Sequence, residues 1–182
     1  MKIYKLDGTK HSALKRVAAL LHEAFPHAYR NLEEAFEEAK SLCIGDFVVL
    51  VAEVEDEIVG VIGAKAQYAH TGWELHPLAV TKTYQGKGIG RALYETLEDS
   101  MRAKGCVTLY LGTDDEFDRT SLSQVDLYED TFTAIANIEN LDRHPYAFYE
   151  KMGFKIVGVI PDANGLNKPD IMMAKRMPMQ KR

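Results

Sequence analysis

Only two cysteines occur in the 182 residues, Cys43 and Cys106, and neither has a CxxC companion or metal-ligand spacing around it. That excludes a disulfide framework and a structural zinc site, and both thiols are expected as reduced core residues. Long hydrophobic runs are missing as well: the longest, residues 47–52, falls far short of the roughly 20 residues a membrane span needs. Residues 1–10 carry Lys2, Lys5 and Asp7 and no apolar stretch, so no secretory leader is expected and a cytoplasmic location follows. Positive charge is in deficit, 22 Lys and Arg against 27 Asp and Glu, for a net charge of -5. This removes the electrostatic footing for nucleic-acid binding and suits a cationic substrate. Repeats, low-complexity stretches and long linkers are absent too, and with 46% hydrophobic residues a single domain over residues 1–182 is expected. The segment His22-Glu23-Ala24-Phe25-Pro26-His27 fails the HExxH spacing and carries a helix-breaking proline, so no metal is expected there either.

The apolar periodicities that are present change along the chain. Residues 2–6 read as a short strand. Leu14, Val17, Ala18, Leu20, Leu21 and Phe25 recur at helical spacing until Pro26, and Asn31 is placed to cap a second helix over residues 32–42. Residues 47–54 and 58–66, rich in Val and Ile about a turn at Glu55-Asp56, predict a β-hairpin. A strand over residues 73–80 leads through a glycine-rich turn into the clearest helix, residues 89–102, with Leu93, Leu97 and Met101 on one stripe and Gly105 as its stop. Residues 107–111 form a further strand, and residues 112–133 are a polar, acidic excursion with no clear period. A helix starting at Asp142 or His144 runs to Met152. Strands over residues 154–160 and 171–175 follow, separated by a loop with an Asn164-Gly165 turn. The order β-α-α-β-β-β-α-β-α-β-β is a mixed α/β arrangement, without the alternation of a doubly wound fold. The methionines 172, 173, 177 and 179 are expected as core and tail residues.

Between a strand and that strong helix lies Gln85-Gly86-Lys87-Gly88-Ile89-Gly90-Arg91. Glycines there let successive backbone N–H groups turn inward, and a helix N-terminus adds partial positive charge, a combination that cradles a pyrophosphate. Lys87 and Arg91 are placed to add charge-assisted bonds. The spacing is neither GxGxxG within a βαβ unit nor a Walker A loop. A plain tight turn remains the alternative. The strand before it, Trp73-Glu74-Leu75-His76-Pro77-Leu78-Ala79-Val80, holds a proline where a ladder donor belongs, which marks an edge, a bulge or an end of pairing. Period-two alternation puts Glu74 and His76 on one face, an acid and an imidazole suited to proton handling, against the alternatives of a solvent-facing glutamate and a core histidine.

The Q-x-x-G-x-G turn in its strand-loop-helix setting, with His144-Pro145-Tyr146-Ala147-Phe148-Tyr149 and Gly153-Phe154 beyond it, resembles the Gcn5-related N-acetyltransferases. The resemblance implies that family's mixed α+β fold, with a mostly antiparallel twisted sheet splayed at the cofactor cleft and helices on both faces. It implies acetyl-coenzyme A as cosubstrate, its diphosphate on the turn from Gln85 to Arg91 and its arm along the backbone of Leu78, Ala79 and Val80. The Leu78 N–H would face the thioester oxygen, and Tyr149 would lie near the sulfur as the proton donor to the departing thiolate.

Three longer blocks, residues 67–68 with 71–78, residues 110–115 with 122–124 and 126–128, and residues 144–175, are similar to the chromosomal enterococcal type of aminoglycoside 6′-N-acetyltransferase. That likeness implies a homodimer acting on the 6′-amine of kanamycin-class drugs, with Glu74, His76, Leu78 and Tyr149 at the active site. Matching carboxylates for a polycation are offered by Asp114 and Asp115, with Glu116, Asp118 and Asp126 in the same run, and by Asp170; a solvated acidic loop is the alternative. Neither cysteine sits in a Cys/His arrangement, so attack is expected to be direct, in a ternary complex. A polyamine or a protein amine as acceptor, and a coenzyme A sensor without catalysis, remain competing readings.

Overall fold

A computed structural model describes residues 1–178, so the tail residue Met179 lies outside the described residues. The chain divides into two compact units, Met1–Val107 together with Pro178, and Thr108–Met177.

The first unit runs β1 (Lys2–Lys5), α1 (His11–Ala24), α2 (Leu32–Ser41), β2 (Phe47–Val54), β3 (Glu57–Gln67), β4 (Gly72–Val80) and α3 (Ile89–Ala103). Its four strands pair antiparallel in chain order. The expected hairpin is β2–β3, turned by Glu55 and Asp56 at φ 51° and 61°, the left-handed pair that a two-residue hairpin loop demands. Helix α2 starts where Asn31 promised, its side chain accepting from the N–H groups of Glu33 and Glu34 at 3.0 and 2.9 Å, a cap worth about 1 kcal/mol.

Strand β2 is buried from Val48 to Ala52 without alternation because both faces of the sheet are covered. On one, Val17 and Leu21 of α1 and Ala35 and Ala39 of α2 join Val49, Val51 and Val61 in a single core. On the other lies α3, so close that a Cβ on Gly60 would stand 2.9 Å from Leu93 Cδ1 and 3.3 Å from Ile89 Cγ2. Each fully buried Val or Leu contributes roughly 1.5–3 kcal/mol, which fixes the sheet against its helices.

The second unit runs β5 (Thr108–Asp114), α4 (Thr131–Ala136), α5 (Tyr146–Lys151), β6 (Lys155–Ile160) and β7 (Asp170–Arg176). Strand β7 lies at the centre, antiparallel to β5 on one side and β6 on the other. Leu109, Leu111, Leu122, Phe154, Ile171 and Met173 are among the buried apolar residues of this unit.

Three expectations need correction. The excursion over residues 112–133 contains a short 3₁₀ turn, Ser121–Gln124, and the start of helix α4, capped by Asp130, which accepts from Thr133 N–H at 3.2 Å. Six residues are too few to show a helical stripe, so the element order gains a helix. Helix α5 begins at Tyr146 with Pro145 as its N-cap, later than Asp142 or His144. Cys106 is buried, but Cys43 is exposed beyond the end of α2 and is not a core thiol.

Candidate active site

Strand β4 changes phase midway. Ile62 pairs with Leu78 and Ala64 with Leu75, so Gly63 alone faces the two residues His76 and Pro77. This is a β-bulge, one of the outcomes Pro77 signals, and it re-aims the side chains that follow. Glu74 pairs with Lys65 and Ala79 with Val61, so both lie toward α1 and α2, whereas Leu75 and Leu78 share the opposite face. Only glycine fits opposite the bulge: a Cβ on Gly63 would stand 2.5 Å from the His76 carbonyl oxygen and 3.3 Å from Pro77 Cδ. Past the bulge, Thr81 N–H donates to the Val59 carbonyl at 2.9 Å. Bonding alternates along an antiparallel ladder, so Ala79 bonds β3 as Thr81 does, and the N–H groups of Leu78 and Val80 turn away from β3.

Glu74 and His76 line one cavity of about 610 Å³, with Glu38 of α2, Asp46 and Lys65 also on its wall. Gln67 Nε2 reaches Glu74 Oε2 at 3.4 Å. His76 Nε2 lies 3.5 Å from Glu38 Oε1, the two side chains 49% and 26% exposed. The hydrogen bond from His76 holds the Glu38 carboxyl below the usual carboxylate range, outweighing the burial that opposes it. Three carboxylates against one lysine, whose ammonium sits 5.4 Å from the Phe47 ring centroid, leave the cavity attractive to cations. Glu38 and Asp46 escape sequence reading because α2 carries four glutamates, Glu33, Glu34, Glu37 and Glu38, and its periodicity marks only the buried stripe between them.

After β4 the chain passes a 3₁₀ turn, Lys82–Tyr84, into the glycine segment. Gly86 and Gly88 take φ 74° and 83°, and a Cβ on either would meet nothing within 4 Å, so backbone conformation rather than space requires glycine here. Gly88 is the N-cap of α3, without a side-chain capping bond and without an acid in the first turn. The first bond of the helix runs from Ala92 N–H to the Gly88 carbonyl at 3.0 Å, which leaves the N–H groups of Ile89, Gly90 and Arg91 ahead of it. Ile89 offers backbone alone, its side chain being buried, while Lys87 and Arg91 are exposed. Lys87 Nζ stands 4.8 Å from the Tyr84 ring centroid, and Gln85 Nε2 donates to the Val80 carbonyl at 2.9 Å, tying the turn to the strand end. An uncapped, acid-free helix start flanked by two cations fits a phosphate.

In the second unit Tyr149 is buried on α5, edge-on to Phe148 and Phe154 with ring centroids 5.3 and 5.8 Å away. Burial pushes its phenol up, so it keeps its proton. The acidic run does not act as a group. Asp115 is fully buried, its carboxylate accepting from the N–H groups of Arg119 and Thr120 at 2.7 and 2.9 Å and from Thr120 Oγ1 at 2.7 Å. It therefore organises its own loop and presents no oxygen to a substrate, which overturns its expected role. Asp118 pairs with Lys168 at 2.6 Å, and Asp126 accepts from Tyr128 N–H at 2.9 Å. Asp114 is exposed, accepts from Asn164 Nδ2 at 2.5 Å, and faces Asp170 directly across the β5–β7 ladder. Asp170 lies over Gly112, where any Cβ would collide with its carboxylate. His144 is buried, with Nε2 3.1 Å from the Asp114 carbonyl and Nδ1 accepting from Tyr146 N–H at 3.2 Å. Burial lowers its basicity below that of an ordinary imidazole. Among the described residues no cluster of His, Cys, Asp and Glu is spaced to hold a metal, and no helix is long and apolar enough to cross a membrane.

Comparison with known proteins supplies the family. Among solved structures, an aminoglycoside 6′-N-acetyltransferase complexed with coenzyme A is 43% identical over 100% of both chains, with a TM-score of 0.94. The aminoglycoside 6′-N-acetyltransferase from Enterococcus faecium is also 43% identical over the full length of both, with a TM-score of 0.91. An aminoglycoside 6′-acetyltransferase of type Ii is 36% identical, again over both whole chains, at 0.75. No curated protein sequence matches. The profile of the acetyltransferase (GNAT) family matches residues 14–133, a span that holds the bulged strand, the glycine turn and α3, and the chain belongs to that family.

Proposed function

We propose that this chain transfers an acetyl group from acetyl-coenzyme A to the 6′-amino group of an aminoglycoside, by direct attack in a ternary complex. The observation that carries the reading is the bulge at His76 and Pro77, which sets Glu74 and His76 in an acidic cavity while the N–H groups of Leu78 and Val80 turn away from β3. Two relatives named for this activity, 43% identical from end to end, support the choice of acceptor, and one of them carries coenzyme A.

The bound cosubstrate supplies an acetyl thioester. The turn from Gln85 to Arg91 holds its diphosphate, and the backbone of Leu78, Ala79 and Val80 holds its arm, with Leu78 N–H donating to the thioester oxygen. One such donor is worth roughly 3 kcal/mol at the top of the barrier. An amine with a pKa near 10.4 is neutral only about once in 2,500 molecules at pH 7, so a proton must leave before the nitrogen can attack. Glu74 takes that proton or orders the water that does, with His76 beside it in the same cavity. The Tyr149 phenol, kept protonated by burial, donates to the departing thiolate. Asp46 and Glu74 on the cavity wall attract the drug's remaining ammonium groups, with Asp114 and Asp170 as secondary candidates. Residues 1–178 and the tail work as one N-acetyltransferase domain, a reading supported by relatives matched over their whole length. The protein acts as a homodimer in the cytoplasm and confers aminoglycoside resistance. Exposed Phe132, Val157, Ile160 and Leu166 in the second unit suit a self-association surface.

The test is thiol release from acetyl-coenzyme A with kanamycin, tobramycin, spermine and a lysine peptide offered in turn. Turnover is expected with the two drugs. Turnover of spermine or peptide alone reassigns the acceptor, and coenzyme A binding without turnover of any amine makes the protein a sensor.

A further inference from the structure

Glu38 belongs to no motif, yet it is the residue of α2 that reaches the bulge of β4. Its backbone is fixed near the end of the helix: the Glu38 carbonyl accepts from Leu42 N–H at 3.0 Å and from Ser41 Oγ at 2.9 Å, while Ala35, Ala39 and Leu42 around it are buried. His76 is fixed from the other side by the tight fit of its carbonyl against Gly63. Two independently anchored backbones thus bring a carboxylate to 3.5 Å from an imidazole nitrogen. Resting on the acetyl-transfer reading above, we propose that Glu38 is a positioning residue for His76, holding its Nε2 edge so that Nδ1 takes on the acceptor ammonium's proton through the water that Glu74 orders.

The chemistry follows from the inventory of an imidazole. In the neutral ring only one nitrogen carries a proton, and the one that faces a carboxylate must be the donor, which leaves the lone pair on Nδ1. When Nδ1 takes the proton through that water, the ring becomes a cation and Glu38 stabilises it. The amine nitrogen is then free to form its bond to the acetyl carbon as the carbon–sulfur bond breaks. The same geometry explains why Glu38 is held ionised by its histidine. The other charged groups on this cavity are Lys65 of β3, Glu74 of β4 and Asp46 before β2, with His70 Nδ1 3.9 Å from Asp46 Oδ2. Lys65 opposes a second cation, whereas Glu74 and Asp46 favour one. Glu38 nevertheless differs from them in lying 3.5 Å from the Nε2 of His76 itself.

The alternative for Glu38 is a plain ligand for one of the drug's ammonium groups, and kinetics separates the two. Glu38→Gln keeps the size and removes the charge. For a positioning residue kcat falls about five- to ten-fold, as for one partly exposed charge-assisted hydrogen bond, and by the same factor for a monoamine and a polyamine acceptor. The KM for the amine stays within about two-fold, and Glu38→Asp restores most of the rate. A rise in KM that grows with the number of ammonium groups, at constant kcat, overturns the proposal, and so does a Glu38→Asp variant as slow as Glu38→Gln. A second measurement needs no turnover: carbon-13 NMR of the Glu38 carboxyl in the wild type and in His76→Gln. Loss of the ring is expected to move the carboxyl titration to higher pH; an unmoved titration overturns the pairing. Should that titration move while no amine is acetylated, the acetyl-transfer reading fails and the Glu38–His76 pair stands.

Discussion

Replacing Gly63 by alanine tests the bulge directly. The new Cβ would stand 2.5 Å from the His76 carbonyl oxygen, with the carbonyl carbon and Pro77 Cδ each at 3.3 Å. The closest of these is about an ångström inside ordinary van der Waals separation. The obstructing oxygen is backbone, so no rotamer change relieves it, and either β3 and β4 part or the bulge reforms in another register. Overpacking of this kind costs about 1–3 kcal/mol. For a chain of this length that corresponds to a fall in Tm of roughly 2–4 °C for each kcal/mol. Activity should fall further than stability. Displacing a reacting group by about 1 Å costs up to 10²-fold, and both His76 and the Leu78 N–H sit on the displaced segment, so kcat/KM for the amine is expected to drop about 10- to 100-fold in protein that is still folded. Gly60→Ala is the control. Its nearest obstacle is the Leu93 Cδ1 methyl at 2.9 Å, the end of a flexible side chain, so it should lose less stability and keep its activity. Thermal unfolding and thiol release on the same samples decide the matter. A Gly63→Ala protein with wild-type Tm and wild-type kcat/KM would refute the argument.

The remaining predictions concern single residues. Gly88→Ala forces a side chain into φ 83°, costing about 1–2 kcal/mol without any clash, and calorimetry should show acetyl-coenzyme A binding weakened about ten-fold; unchanged affinity would detach the turn from the diphosphate. Glu74→Gln should slow transfer more at low pH than at high pH, where the amine is already neutral, and a parallel rate profile would remove Glu74 from the base role. Asp115→Asn removes the charge that three donors share, so urea unfolding should show a loss of more than about 1 kcal/mol while the KM for the amine stays put; a raised KM with intact stability would restore it as a substrate ligand. His144 contributes a pH dependence of defined sign. Its basicity in the fold is below that of the unfolded imidazole, so its stabilisation is complete above about pH 6.5 and is lost as pH falls from there through the folded-state value. The slope is at most about 1.4 kcal/mol per pH unit, and His144→Asn should flatten it; an equal slope in the variant would point to carboxylates, which titrate lower.

What the sequence makes legible is whatever a short stretch states by itself. Leu93, Leu97 and Met101 recur on one stripe, all three are fully buried, and the helix they mark is α3. Asn31 caps its helix with its own side chain, and Glu55 and Asp56 turn their hairpin by their own dihedrals. The glycine turn is legible for the same reason, since its left-handed angles at Gly86 and Gly88 are a property of those two residues. Pro77 is only half legible. It announces an interruption, but which residue absorbs it depends on Gly63 across the ladder, and that choice decides which face Leu78 takes. Glu38 is not legible at all, because its partner lies 38 positions away on another element and its neighbours Glu33, Glu34 and Glu37 look the same on a helical wheel. Asp115 shows the opposite failure. A run of acids reads as a charged surface, yet the backbone donors of Arg119 and Thr120, only four and five residues on, fold around one of them and take it out of solvent. Charge patterning counts carboxylates, whereas the fold decides which of them still have a free lone pair. The carboxylates that share one cavity wall on the first unit are therefore the scattered ones, Glu38, Asp46 and Glu74, gathered by α2, the approach to β2 and the bulged β4.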